Sequence, residues 1–364
     1  MINIVGNGNT KLASMGCKPA SDRWINRWSV SRIGKAQSCQ RLIYLDAVLG
    51  FQAKYSTSAA IQGILTHVGV LEAYHQAGFR AVKHQLNTKA LEIGKEQEFD
   101  VELLDVLKAR IYTEGYAHWA DAPMRGGPAC DDPHDTLIGV EIPWTTTIDG
   151  HDFKGVFDMI TYYSPTNTYR IHELKTTSRK EALDVGSSYW RDLTYGTQPV
   201  VYAKALMALA GHPLEGVKWP HPSLGKFPDA EIEFVYHIIN TTKSKPGRKK
   251  PIRKRKAESD EEFLLRENEN KETISEWYEK TLKIYLEDNQ EVSRFLQHSF
   301  VLLYSEIQTR WDEILDVIRM TNSSRQFPRN PGSCGDFGGC AFRKVCSGDE
   351  DLVTSERLKR KKER

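Results

Sequence analysis

The sequence predicts an α/β fold: a central mixed sheet flanked by helices, with further helical additions and a cysteine cluster near the C-terminus. From Ile138 the apolar pattern shifts to a period of two, so IGVEIPWTTTI, FKGVFDMITYY and TYRIHELKT read as three successive strands. A helical pattern follows over 196–210, and EIEFVYHII at 231–239 reads as a strand returning to the sheet. Helix-spaced segments lie on both sides of this unit and read as elaborations of it.

Taken in order, residues 1–28 are rich in Gly, Asn and Ser and read as a flexible segment, with Trp24 and Trp28 available to dock. Residues 29–49 read as a capped helix start followed by a buried face, and a core of 29–240 begins there. Ile61, Leu65, Val68 and Leu71 have helical spacing within 58–77, and 98–119 forms another helix. A helical insertion spans about 78–137 and closes on Gly126-Gly127-Pro128 and the acidic DDPHD loop. Asp149-Gly150 is a tight-turn pair between the first two strands, and Ser164-Pro165-Thr166-Asn167 joins the next two. Beyond a basic loop at 241–260, helices dominate from Glu261 to Met320, within a helical region of 261–326. The cysteine cluster occupies 327–348 and a charged tail 349–364. No internal repeat is visible.

At 364 residues, with 40% apolar and 27% charged residues, the chain has the composition of a globular protein with ample core. Its net charge of +2 says nothing about partners. No run approaches 18 apolar residues, and MINIVGNGNTKLASMG lacks the apolar stretch of a secretory signal. A cytoplasmic location with no membrane partner is therefore expected, where the six cysteines would not form disulfides.

The chemistry-bearing residues lie in the middle third. Asp158 falls in GVFDMITYY, Glu173 and Lys175 in YRIHELKTT, and Gln198 and Tyr202 in YGTQPVVYAKAL. Strand side chains alternate, so Glu173 and Lys175 share a face while Leu174 points the other way, into the core. Asp152-Phe153-Lys154 and Glu269-Asn270-Lys271 have the same acid-x-Lys form; the strand assignment, with Gln198 and Tyr202 following, singles out the triplet at 173–175. Asp158 and Glu173 are hard oxygen ligands suited to Mg²⁺ or Mn²⁺. Such an ion polarises a phosphodiester and acidifies a bound water, while Lys175 lowers the cost of the developing charge. His67, one helical turn beyond Gly63, could add an imidazole ligand. Gln198 and Tyr202, at i and i+4, share a helix face from which to hold a phosphate. Glu141 in VEIPW is a further candidate that could approach metal or DNA, set against its reading as an exposed strand residue.

In order along the chain, Gly63/His67, Gly155/Asp158, Glu173/Lys175 and Gln198/Tyr202 resemble the motifs of the RecB-like branch of the PD-(D/E)xK nucleases. The resemblance covers roughly 29–240 and resumes at 327–348. It implies a restriction-endonuclease-like core and a metal-dependent DNA exonuclease of recombination, repair or end processing, of the kind that a phage carries. His67, Asp158 and Glu173 are then metal ligands, Lys175 the catalytic lysine, and Gln198 and Tyr202 supports of DNA and site. Phe157 stands where the superfamily's name has proline, and His67 lies 91 positions before Asp158.

FPRNPGSCGDFGGCAFRKVCSGDE spaces Cys334, Cys340 and Cys346 as C-x5-C-x5-C, and Cys39 stands far upstream. Zinc sites usually show tight C-x2-4-C knuckles, whereas iron–sulfur clusters accept dispersed thiolates. Zinc, and four unrelated buried cysteines, remain the alternatives. The arrangement resembles AddB-type enzymes and the CRISPR-associated four-cysteine exonucleases, in which one cysteine precedes the nuclease core and three follow. The resemblance implies a [4Fe–4S] cluster held by Cys39, Cys334, Cys340 and Cys346, although the gap from Cys334 to Cys340 is wider than the usual two residues. Closing a loop of about 295 residues would remove on the order of 5 kcal/mol of unfolded-chain entropy. Cys17 and Cys130 fit no pattern.

KSKPGRKKPIRKRK at 243–256 holds nine Lys or Arg in fourteen residues. It reads as a solvated loop or as a non-specific phosphate-binding arm. Tyr112, Tyr116 and Trp119 could stack on unpaired bases, while their helical spacing places them in the core. The expected partner is DNA, single-stranded or at duplex ends, together with a helicase or recombination partner, because the chain has no G-x-x-x-x-G-K-[ST] of its own. A catalytically silent DNA-binding subunit and a CRISPR-adaptation nuclease are the alternative functions.

Overall fold

The structure, a computed structural model, describes residues 27–54, 56–74, 78–97, 101–120, 134–215, 217–219, 230–241, 259–269, 272–287, 294–324, 327–338 and 340–360. The basic segment 243–256, Cys17, Cys130 and the loop around Gly126 lie outside them.

The chain begins with β1 (Arg27–Trp28) and α1 (Val30–Ser38), the latter capped by the Ser29 side chain on the Arg32 amide. A short α2 (Gln40–Ile43) runs through a π turn toward β2 (Phe51–Ala53). Three long helices follow: α3 (Ser58–Tyr74), α4 (Gly78–Gln97) and α5 (Leu103–Ala120). The three predicted strands are present as β3 (Asp135–Ile148), β4 (His151–Tyr163) and β5 (Thr168–Thr177). Asp149 and Gly150 both take positive φ, 49° and 79°, as a type I′ hairpin turn demands. Helices α6 (Ser188–Thr194) and α7 (Thr197–Leu209) lead to β6 (Glu231–Asn240), parallel to β5 along its whole length. Next come α8 (Asp260–Glu269), α9 (Ile274–Leu286), β7 (Phe295–Leu302) and α10 (Tyr304–Ser323). The chain ends with α11 (Arg343–Ser347) and β8 (Leu358–Arg360).

One mixed sheet runs β1-β4-β5-β6-β7, with β3 on the other edge of β4. Tyr169 and Ile171 of β5 and Phe234, Tyr236 and Ile238 of β6 face α7 and α10, whose Val200, Leu206, Trp311 and Ile314 complete the larger core. Leu174, Ile239 and Phe295 face the other way, against Tyr112 and Tyr116 of α5 and Trp277 and Tyr285 of α9. The predicted α/β architecture is therefore present as helices on both faces of a mixed sheet, and Tyr112, Tyr116 and Trp119 belong to its core. Among the described residues no helix is long and apolar enough to cross a membrane.

Three elements differ from the sequence expectation: Arg27 and Trp28, read as the end of the flexible segment 1–28, form β1 beside β4. The stretch predicted to be helical from Glu261 to Met320 contains β7, an edge strand antiparallel to β6. Part of the charged tail forms β8, which pairs with β2 and brings Leu358 onto Leu45, Leu49 and Phe51.

Candidate active site

The site sits where β4 and β5 part. Their ladder ends with Met159 opposite His172. One step further, the Leu174 amide donates instead to Asp158 Oδ2, at 2.9 Å. A carboxylate thus takes the place of a ladder carbonyl and is held in the gap between the strands.

Glu173 and Lys175 of β5 lie on the face toward α7, as strand alternation requires. Lys175 Nζ donates to Glu173 Oε1 at 2.6 Å and to Gln198 Oε1 at 2.9 Å. Gln198 and Tyr202 come one turn apart on α7. The Tyr202 ring meets Phe157 edge-on, with centroids 5.2 Å apart, and Trp144 likewise at 6.0 Å. Burial, then the charges of Glu173 and Asp158, push the Tyr202 hydroxyl well above its ordinary pKa. Tyr202 is accordingly a neutral buttress for the carboxylates.

Two glycines set close approaches. A Cβ on Gly155 would lie 2.5 Å from the Trp144 indole, so only glycine lets that ring lie across β4 beside Phe157. A Cβ on Gly63 would lie 3.1 Å from Thr176 Oγ1 at the end of β5. This close packing of α3 carries His67, one turn later, over the strands. His67 Nδ1 stands 3.6 Å from Asp158 Oδ2. Burial lowers the imidazole pKa, opposed by Glu173, so the ring is neutral at neutral pH, the form that ligates metal.

Glu141 is the residue that strand alternation undervalued. It is exposed, as that reading had it, yet its backbone takes φ = 49°, unusual for glutamate inside a strand. It lies opposite Asp158 where the β3–β4 register passes from Val140↔Met159 to Ile142↔Phe157. Ligand atoms of His67, Glu141 and Asp158 all lie within 4.8 Å of one another. Strain of this kind costs about 1–3 kcal/mol and persists where the surroundings impose it.

The decoy triplet at 152–154 has no such company. Asp152 bonds Thr147 on the exposed β3–β4 hairpin, at 2.7 Å. Glu269 ends α8, and Asn270 and Lys271 lie outside the described residues.

The electrostatics fit a hard divalent cation. Burial and then the Glu173 charge raise the Asp158 carboxyl well above the ordinary carboxylate range. Among the described residues Glu173 Oε2 is buried without a hydrogen-bond partner, an arrangement that costs about 1–3 kcal/mol or more for a charged group. One imidazole and two carboxylates suit Mg²⁺ or Mn²⁺, and a cation among them would relieve the Asp158 penalty; Glu173, expected from the sequence as a ligand, is not part of that 4.8 Å group.

The four cysteines gather at another corner. The 327–346 segment docks on α1 and α2: Asn330 donates to Cys39 Sγ at 3.4 Å and to the Ser38 carbonyl at 2.8 Å, and Tyr44 stacks on Phe327. The Cys340 amide donates to the Cys334 carbonyl at 3.0 Å. All four thiols are free. Burial raises the Cys340 and Cys346 pKa values, and nearby Cys39 adds to both shifts.

The profile of the PD-(D/E)XK nuclease superfamily matches residues 27–347, and the chain belongs to that superfamily. Its restriction-endonuclease-like core, metal-suited acidic site and nuclease class follow together, because nucleases of this superfamily use divalent metal ions on DNA. No curated protein matches the chain.

Proposed function

We propose that this chain is a Mg²⁺- or Mn²⁺-dependent DNA exonuclease of the RecB-like, iron–sulfur type, acting at single-stranded or duplex ends in recombination, repair or end processing in the cytoplasm. The observation that carries the reading is Lys175 fixed between Glu173 and Gln198, beside a carboxylate trapped at the strand parting.

His67, Glu141, Asp158 and Glu173 would hold the ion. When bound, it supplies Lewis-acid polarisation of the phosphodiester and a more acidic water. The protein's own contribution is positional. Two of the three Lys175 donors are occupied by Glu173 and Gln198, leaving the third for the attacking water or a phosphate oxygen. A held ammonium needs no reorganisation as negative charge builds in the transition state. Neutral Tyr202 and the Trp144 and Phe157 rings keep that side of the site apolar, which strengthens the ammonium's field.

Cys39, Cys334, Cys340 and Cys346 would clasp the C-terminal segment to α1 through a [4Fe–4S] cluster. The wide C-x5-C spacing supports iron–sulfur over zinc. Protein purified anaerobically should be brown, with broad absorption near ~400–420 nm; a colourless protein carrying one zinc per chain contradicts the cluster.

The activity is tested with linear and covalently closed circular DNA, each with Mg²⁺, Mn²⁺ or EDTA. The reading requires metal-dependent release of nucleotides from linear ends and survival of the closed circle. Rapid cutting of the circle would leave a nuclease and remove the exonuclease.

A further inference from the structure

Beside the metal site an open groove of about 530 Å³ runs between α3 and α4. His67 and Glu141 border it, and the same two side chains face Asp158. The far wall is a stripe on α4: Gln85, Thr88, Lys89 and Glu92. Their spacing of i, i+3, i+4 and i+7 puts them on one helix face, while Leu86, Ala90 and Ile93 of the same helix are buried in a separate core. From Gln85 to Glu92, helix α4 therefore turns a polar face toward the mouth of the metal site. On the near wall, Ile64 is 41% exposed.

We propose that this groove is the path of one unpaired nucleic-acid strand, and that Lys89, Thr88 and Gln85 hold the nucleotide next to the scissile phosphate. The inference rests on the nuclease reading and adds the form of the substrate. Pockets of roughly 300–1,000 Å³ suit a ligand the size of a nucleotide, and a duplex is too wide for the space between two neighbouring helices. The groove's chemistry matches one strand. Lys89 carries a charge for a phosphate, Thr88 and Gln85 offer neutral donors, and exposed Ile64 offers an apolar surface to a sugar or base. Lys89 Nζ is held 3.0 Å from a Glu92 oxygen, with the two side chains 40% and 55% exposed. Such a pair is worth little in water, so a phosphate can displace the carboxylate at small cost. Glu92 then acts against binding.

That opposition supplies the test. Affinity for a fluorescein-labelled single-stranded oligonucleotide is measured by anisotropy across a salt series, with Ca²⁺ replacing Mg²⁺. Lys89→Ala should weaken binding about tenfold and reduce the salt slope by about 1. Glu92→Gln should tighten binding about two- to threefold, because a repulsive charge near the phosphate is removed. Lys95→Ala, exposed on the same helix and outside the groove, should match wild type. A purely structural role for the Lys89–Glu92 pair predicts effects of the same sign for both variants, and that result overturns the proposal. So does a blunt duplex that loses as much affinity as the single strand when Lys89 is replaced. Wild-type turnover with Mg²⁺ separates the two readings. Cleavage with no response to Lys89 or Glu92 removes the groove alone, and the predicted binding pattern without any cleavage removes the nuclease alone.

Discussion

Asp158 Oδ2 accepts the Leu174 amide at 2.9 Å, at the point where β4 and β5 cease to pair. A strand pair opened by its own side chain sets the carboxylate in place before any metal arrives. The arrangement has an energetic cost, since Asp158 is buried close to Glu173 and its carboxyl pKa is raised.

Asp158→Asn should therefore stabilise the metal-free protein while abolishing cleavage. Asparagine still accepts from Leu174 and carries no charge, so a gain of about 0.5–2 kcal/mol is expected in EDTA. The pH dependence follows from linkage. The native state holds the Asp158 proton to higher pH than the unfolded chain does, so the wild-type penalty is full above the raised pKa, shrinks as pH falls below it and is gone below the ordinary value of 3.8. Thermal unfolding in EDTA should show the variant's advantage at neutral pH and its loss in acid. Mg²⁺ should raise the wild-type midpoint and leave the variant's unchanged.

Glu141→Gln should weaken the apparent affinity for Mg²⁺ by about 10–100-fold, the range seen when residues supporting a metal site are lost. Activity would be recovered at high metal concentration, because Lys175, Glu173 and Gln198 are untouched. A metal titration of the cleavage rate checks this, and an unchanged half-saturation point would return Glu141 to an ordinary strand position.

Below the active-site strand, a buried chain of hydrogen bonds joins Thr161 Oγ1, His172, His237 and the Tyr116 hydroxyl, each contact 3.0 Å long. Burial lowers both imidazoles; the charges of His237 and Arg170 lower His172 further, and His237 falls to about 4. The unfolded chain binds protons here below the ordinary value of 6.5, and the folded protein does not. Stability is thus full above 6.5 and declines as pH falls toward about 4. His237→Gln removes one titrating group and should flatten the decline seen in chemical denaturation, at a cost of about 1–3 kcal/mol at neutral pH for disturbed buried hydrogen bonds.

Most of the catalytic strand unit was legible in the sequence because its signals are local. Period-two alternation gave β3, β4 and β5, and Asp149-Gly150 announced its own turn. Asp158, Glu173 and Lys175 came with the strands. β7 was hidden because it is a half-buried edge strand, and Gln297, His298 and Ser299 interrupt its apolar pattern. β1 and β8, at two and three residues, are too short to show any period. His67 depends on how α3 packs over β5, a tertiary fact that its distance in sequence conceals. Glu141 was harder still, since nothing about a glutamate in VEIPW announces a positive φ. The pattern of residue types located the chemistry, and the backbone irregularities that complete the site came only with the structure.

The most direct test of the account is the single-turnover cleavage rate of end-labelled DNA at saturating Mg²⁺, for wild type, Glu173→Ala and Lys175→Ala, with circular dichroism as the check on folding. The account predicts EDTA-sensitive cleavage by wild type and a loss of at least about 10²–10³ in rate for each folded variant, the scale of removing one group that stabilises transition-state charge. Full activity in either variant would contradict it.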